Sequence, residues 1–284
     1  MTQLRAPGGT SQGLTRLGRD AQTQNDDLGP LADLVGTWIG SQGWELIAVP
    51  AKPESDFRLI VRPYIEVITF EPIGAPVPDR GGAAGDLFLT GVMYTMRVAD
   101  KETNEPLHLE AGMWFYMAGQ EQEIARSSTI PHGDALLALG NATTTQGPPT
   151  FPDTSAIPNP GPDPLAGYTD PYLGPPVDGF AASDPNHVLA AAIEGLDIVQ
   201  TTTLDVSTAA PGGILNIPFV NQNANATQFT GTYWLETVAD QATGDQVVQL
   251  QYTQQTNIEF LPQFGNPDEL IMWPHVNVNT LRKQ

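Results

Sequence analysis

From Gly36 onward, stretches of alternating apolar and polar residues recur between clusters of Gly, Pro, Asn and Asp. A period of two marks strands with one face buried. Tyr64–Phe70 is dense in aromatic and β-branched residues, and Asp86–Val98 is long and apolar. Further strands are expected at Leu107–Met117, Glu123–Thr129, Ile198–Ser207, Gly213–Val220, Thr227–Ala239, Gln246–Phe260 and Leu270–Leu281. Short helical turns are expected at Leu31–Val35 and over residues 187–193. Most connections are too short for crossover helices, which argues for an antiparallel meander. About ten strands in one sheet would curl, and closure removes the exposed edges. The expected class is all-β: a closed antiparallel β-barrel of about ten strands with few short helices and room for one ligand.

Two segments break the alternation. Residues 1–30 are rich in Gly, Gln and Asp, which predicts a flexible N-terminal arm. Residues 142–186 hold eleven of the 26 prolines. A loop that long within one domain is functional or disordered. Its aromatics, Phe151, Tyr168, Tyr172 and Phe180, argue against a fully disordered linker; an ordered lid or wrap over the barrel is expected, with a decorative insertion as the alternative. The expected organisation is an arm over 1–30 and one barrel domain over 31–284 carrying a Pro/Gly-rich insertion at about 142–186.

Charge and composition narrow the partners. The 284 residues include 12 Lys and Arg against 32 Asp and Glu, a formal net charge of −20. Nucleic acid and anionic membrane surfaces are disfavoured, because both are bound by clustered basic side chains. No apolar run is long enough to span a bilayer. No secretory leader is read in the first residues, so a cytoplasmic location is favoured. With no cysteine, thiolate metal sites and cysteine nucleophiles are excluded. The nucleophile elbow, the P-loop and the dinucleotide glycine fingerprint are missing, so no enzyme class is indicated. A small-molecule ligand is the expected partner. A homodimer through an outer barrel face is left open.

Four ordered motifs carry a resemblance. They are Leu34-Val35-Gly36-Thr37-Trp38-Ile39-Gly40, Tyr64-Ile65-Glu66-Val67-Ile68-Thr69-Phe70, Pro106-Leu107-His108-Leu109-Glu110-Ala111-Gly112 and His275-Val276-Asn277-Val278-Asn279-Thr280-Leu281-Arg282. Together they resemble the nitrobindin-like heme-binding barrels, and more distantly lipocalins and fatty-acid-binding proteins. The resemblance spans roughly residues 31–141 and 230–284. It implies heme b in the barrel, His275 as the axial iron ligand, and ferric heme chemistry with nitric oxide or peroxynitrite. Val276, Val278 and Thr280 depart from the family's Leu-x-Ala-x-Leu pattern after the histidine.

The candidate residues each have a plainer alternative. In a strand, Trp273, His275, Asn277, Asn279 and Leu281 share one face, while Val276, Val278 and Thr280 share the other. If the valine face points inward, His275 lies outside and the heme reading fails. Trp38 is a candidate to stack on a planar ligand, or a core residue. His132, in the turn Ile130-Pro131-His132-Gly133-Asp134, is a candidate hydrogen-bond donor at a pocket mouth, or an exposed turn residue. His108 and Glu110 lie two apart, on one strand face. With His132 they form an alternative divalent-metal site for an enzyme, or a buried polar pair. A lipocalin-like carrier or sensor of a small hydrophobic molecule without heme is the other alternative.

Overall fold

The structure is a computed structural model that describes residues 26–51, 57–158, 181–240, 243–263 and 265–284. Its strands are β1 (Gly36–Pro50), β2 (Phe57–Pro72), β3 (Val77–Asp79), β4 (Leu87–Asp100), β5 (Pro106–Tyr116) and β6 (Ile124–Ile130), followed by β7 (Asp134–Gln146), β8 (Ile198–Ser207), β9 (Gly213–Asn216), β10 (Asn225–Ala239), β11 (Gln246–Gln263) and β12 (Asn266–Lys283). Two short helices, α1 (His187–Ala192) and α2 (Pro218–Asn223), complete the described elements with two 3₁₀ turns. No helix among the described residues is long and apolar enough to cross a membrane.

Neighbours pair antiparallel in the order β2-β1-β12-β11-β10-β8-β7-β6-β5-β4, and β4 pairs back onto β2. That last pairing closes a ten-stranded barrel, as the sequence pattern predicts. β3 extends the β4 edge and β9 the β7 edge, outside the closed ring. Two predicted boundaries shift. The expected strand at Gly213–Val220 stops at Asn216, because Pro218 lacks the N–H a strand ladder needs and instead opens α2. The insertion begins later than expected, since Thr143 to Gln146 still pair with β8.

The barrel interior changes character along its axis. One end is plugged by the 3₁₀ turn Gly29–Leu34, which buries Leu31 and Leu34, with Leu28 beside them. Of the expected arm, residues 1–25 lie outside the described residues, whereas Leu28 is core. Trp38 packs against this plug and its Nε1 donates to Leu34 O at 2.7 Å. Tyr94, Trp114, Tyr233 and Tyr252 fill the middle, and the far end is hollow.

A second apolar cluster lies on the other side of the wall. It joins Leu46, Trp234, Val276 and Val278 to Ala156, Ala182 and Leu189. Phe151 meets Trp234 edge-on at 4.9 Å. Gln251 donates to Leu189 O at 3.1 Å, and Thr201 to Gly147 O at 2.7 Å. The described parts of the insertion therefore wrap the outer wall of β8, β10, β11 and β12. Tyr168, Tyr172 and Phe180 lie outside the described residues.

A β-bulge sets which side chains of β1 face inward. Gly40 pairs with Leu281 and Trp44 with Val278, so β1 uses one more residue than β12 between those pairs. An extra residue reverses the parity of everything after it. Trp38 faces in before the bulge, and Glu45 and Ile47 face in after it. The bulge needs glycine. A Cβ at Gly43 would stand 2.2 Å from the Tyr64 ring, and one at Gly40 2.6 Å from Asn279 Nδ2.

Candidate functional site

The hollow end is a cavity of about 560 Å³, within the usual size range of small-molecule sites. Its walls are mostly apolar, with Ile47, Val49, Ile60, Val98, Ile130 and Ile258 among them. Phe219, Val220 and Asn223 of α2 also line it. Phe219 is 70 % exposed, so it stands at the opening.

His275 lines this cavity. Val276 and Val278 point the other way, into the cluster beneath the insertion. The apolar alternation of β12 thus marks an outer face that the insertion covers. His275 Nε2 lies 3.1 Å from Glu45 Oε1, and both side chains are mostly buried. The other ring nitrogen makes no hydrogen bond among the described residues. Burial opposes ionisation of Glu45, but the hydrogen bond and charge of His275 outweigh it and hold the carboxyl below its usual range.

His108 and Glu110 also line the cavity, with Nε2 and Oε2 3.3 Å apart. The His132 ring stands 5.5 Å from the His108 ring. Burial, and then the neighbouring His108, lower the His132 pKa. The three histidines and the one carboxylate, Glu110, singled out for the heme and metal readings therefore line one cavity, and the structure adds Glu45 to them. Among the described residues, no group of three or more His, Asp or Glu is placed to hold a metal ion. Glu110 is already engaged: Arg126 Nη2 donates to its Oε1 at 2.5 Å, and the Tyr94 hydroxyl donates to the same oxygen. Burial would raise Glu110, but the Arg126 charge together with the hydrogen bonds of His108 and Tyr94 and the charge of His108 takes it down to about 2.

Trp38 is the exception among the candidates. It lies in the plugged end and does not line the cavity, and Lys283 Nζ sits 5.0 Å over its ring. The Gly-x-Trp opening is a core device here, because its indole satisfies the carbonyl that ends the 3₁₀ plug.

The cavity floor holds residues the sequence reading did not single out. Arg126, 2 % exposed, donates through Nε to Tyr94 and through Nη1 to Gln254 and Tyr233. Its guanidinium lies 5.0 Å from the Phe229 ring centre. Beside it, Tyr252 donates to Glu66 Oε2 at 2.6 Å, and Asn279 Nδ2 donates to the same oxygen at 2.7 Å. The Tyr64 hydroxyl lies 2.8 Å from that of Tyr252. Period-two alternation was the available signal, since Tyr64, Glu66, Ile68 and Phe70 share one face of β2. It was masked because the opposite face carries the equally apolar Ile65 and Val67.

Residues 27–151 match the family model described as the THAP4-like, heme-binding beta-barrel domain. The match takes in the plug and β1 to β7, hence Glu45, His108, Glu110, Arg126 and His132. Tyr252 and His275 lie beyond it. The nitrobindin-like resemblance drawn from the four motifs is thereby shown over less than half of the chain. No curated protein matches. Among solved structures, the crystal structure of Rv2717c from M. tuberculosis aligns over 94% of this chain and 99% of that chain, at 16% identity and a TM-score of 0.44.

Proposed function

We propose that the cavity binds heme b, with His275 as the axial ligand. The observation that carries this is the Glu45–His275 pair on the wall of a large apolar cavity. Metal-ligating histidines characteristically hand one ring nitrogen to a carboxylate and keep the other for the metal. The apolar walls suit a porphyrin face, and Arg62, which lines the cavity 3.5 Å from Asp100, is the cation a propionate would share with that carboxylate. Bound heme would supply ferric chemistry toward nitric oxide or peroxynitrite, as the family resemblance implies. The chain's own contribution is to orient His275 through Glu45 and to keep water from the apolar wall. Absorption spectra during hemin addition, with wild type and His275→Ala in parallel, test this. The proposal expects a Soret shift that His275→Ala weakens or abolishes.

A second reading has its own support. Glu45, Glu110 and Asp134 all line the cavity, an acidic set for a ligand bearing two propionates. A lipocalin-like carrier of an apolar molecule without such groups fits that set. Native mass spectrometry of protein taken from its source separates the two by the mass of the bound molecule.

A further inference from the structure

Below the main floor lies a second, small chamber of about 10 Å³, lined by Glu66, Tyr94, Arg126, Tyr233 and Tyr252 among others. Met96, Arg126 and Tyr252 line both spaces and form the partition. Glu66 is fully buried, and its Oε1 has no hydrogen-bond partner. A carboxyl left half-satisfied in a protein interior is costly in its ionised form.

We infer that Tyr64, Tyr252 and Glu66 form a proton relay, running from the ligand cavity to Glu66 as a terminal proton store. The inference rests on the proposed function only in taking this cavity as the ligand site. Tyr64 lines the cavity. Its hydroxyl stands 2.8 Å from that of Tyr252 and 3.1 Å from the Val278 carbonyl oxygen, so its proton turns from that carbonyl to Tyr252 when the relay runs; the Tyr252 hydroxyl stands 2.6 Å from Glu66 Oε2. Asn279, the other donor to Glu66, has an amide that cannot pass a proton on. In the inward step, a hydronium ion of the cavity water gives a proton to the Tyr64 oxygen and is left as water. The Tyr64 hydroxyl proton moves to the Tyr252 oxygen, and the Tyr252 proton moves to Glu66. Each oxygen breaks one O–H bond as it forms another, so one proton arrives and both phenols stay neutral. The outward step is the reverse.

The surroundings suit a store. Burial raises Glu66 to about 7, against the hydrogen bonds of Tyr252 and Asn279 and the charge of His108, while Glu110 adds to the rise. Burial, and then Glu66, raise both Tyr64 and Tyr252 well above the normal phenol value, so neither ionises along the way. Tyr94 of β4, Arg126 of β6 and Tyr233 of β10 complete the ring around the small chamber. Arg126 is neutralised by Glu110, which leaves Glu66 as the floor carboxyl able to exchange near neutral pH. Two carboxylates whose environments push their pKa values apart are a recurrent sign of divided acid–base roles.

The test is infrared spectroscopy of the ligand-free full chain. The protonated-carboxyl band is assigned by subtracting the spectrum of Glu66→Gln. The relay predicts a difference band with a midpoint near pH 7. It also predicts that exchange of this band into deuterated water slows at least tenfold in both Tyr64→Phe and Tyr252→Phe. Tyr64→Phe matters most, because it leaves the bond from Tyr252 to Glu66 in place. Absence of the band, or exchange as fast in Tyr64→Phe as in wild type, overturns the relay. Hemin addition to the same samples reads the other claim: a missing Soret shift removes the heme proposal, while the exchange comparison still decides the relay.

Discussion

His275 and Glu45 meet diagonally across the β1–β12 seam, Nε2 to Oε1 at 3.1 Å, although the register places Glu45 opposite Asn277. The bulge at Gly40 to Trp44 turns Glu45 inward to make this pair. If the carboxylate orients the imidazole for iron, Glu45→Gln should weaken hemin binding about 10- to 100-fold, the usual effect of removing such a support. Glu45 is held low in the folded state, so its stabilising contribution is present above the unfolded carboxyl pKa and is lost as pH falls through the folded value. Glu45→Gln should remove that part of the acid-side loss, read as a smaller drop in urea midpoint between neutral and acid pH.

The Glu110–Arg126 pair sits inside the barrel with both side chains nearly inaccessible. Removing one partner leaves the other charge buried. Glu110→Gln or Arg126→Met alone should therefore cost about 3–5 kcal/mol by denaturant unfolding. The double variant should lose less than the sum of the two, since residues in one network do not add independently.

Glu236 is buried on the wall face it shares with Trp234, with Gln249 Nε2 donating to its Oε2 at 2.8 Å and its Oε1 unpaired. Burial raises it to about 7 despite that bond. A carboxyl raised on folding destabilises the native state once the unfolded chain can ionise. Stability from this group is full below the unfolded value, falls as pH rises toward 7, and is flat beyond. Glu236→Gln should flatten that interval and make the protein more stable at pH 8, by up to about 3 kcal/mol. Urea midpoints at several pH values check it.

Phe219 lines the cavity from α2 yet is 70 % exposed. Phe219→Ala should change stability by no more than about 0.5 kcal/mol, as at most surface positions. It should nevertheless speed release of bound ligand, measured by stopped-flow transfer of hemin to an acceptor protein.

The closed all-β barrel was legible because alternation, turn residues and short connections all pointed one way. The facing of His275 was not, because both sides of β12 are buried: one by the cavity, the other by the insertion. Alternation distinguishes a wet face from a dry one and has nothing to say between two dry faces. Trp38 misled for a related reason, since an indole is equally at home in a plug and in a binding site. Arg126 and Glu66 escaped because a buried charge in a strand looks like a solvent-facing residue until its partners on other strands are known. Those partners come from β4, β5, β10, β11 and β12, at separations the sequence does not encode locally.

The central claim is that this cavity holds heme through His275. Titrating hemin into the full chain and following the Soret band, with His275→Ala alongside, tests it most directly. The account predicts a saturable one-to-one shift in wild type and its loss or clear weakening in the variant. No shift in wild type, or the same shift in both, would contradict it.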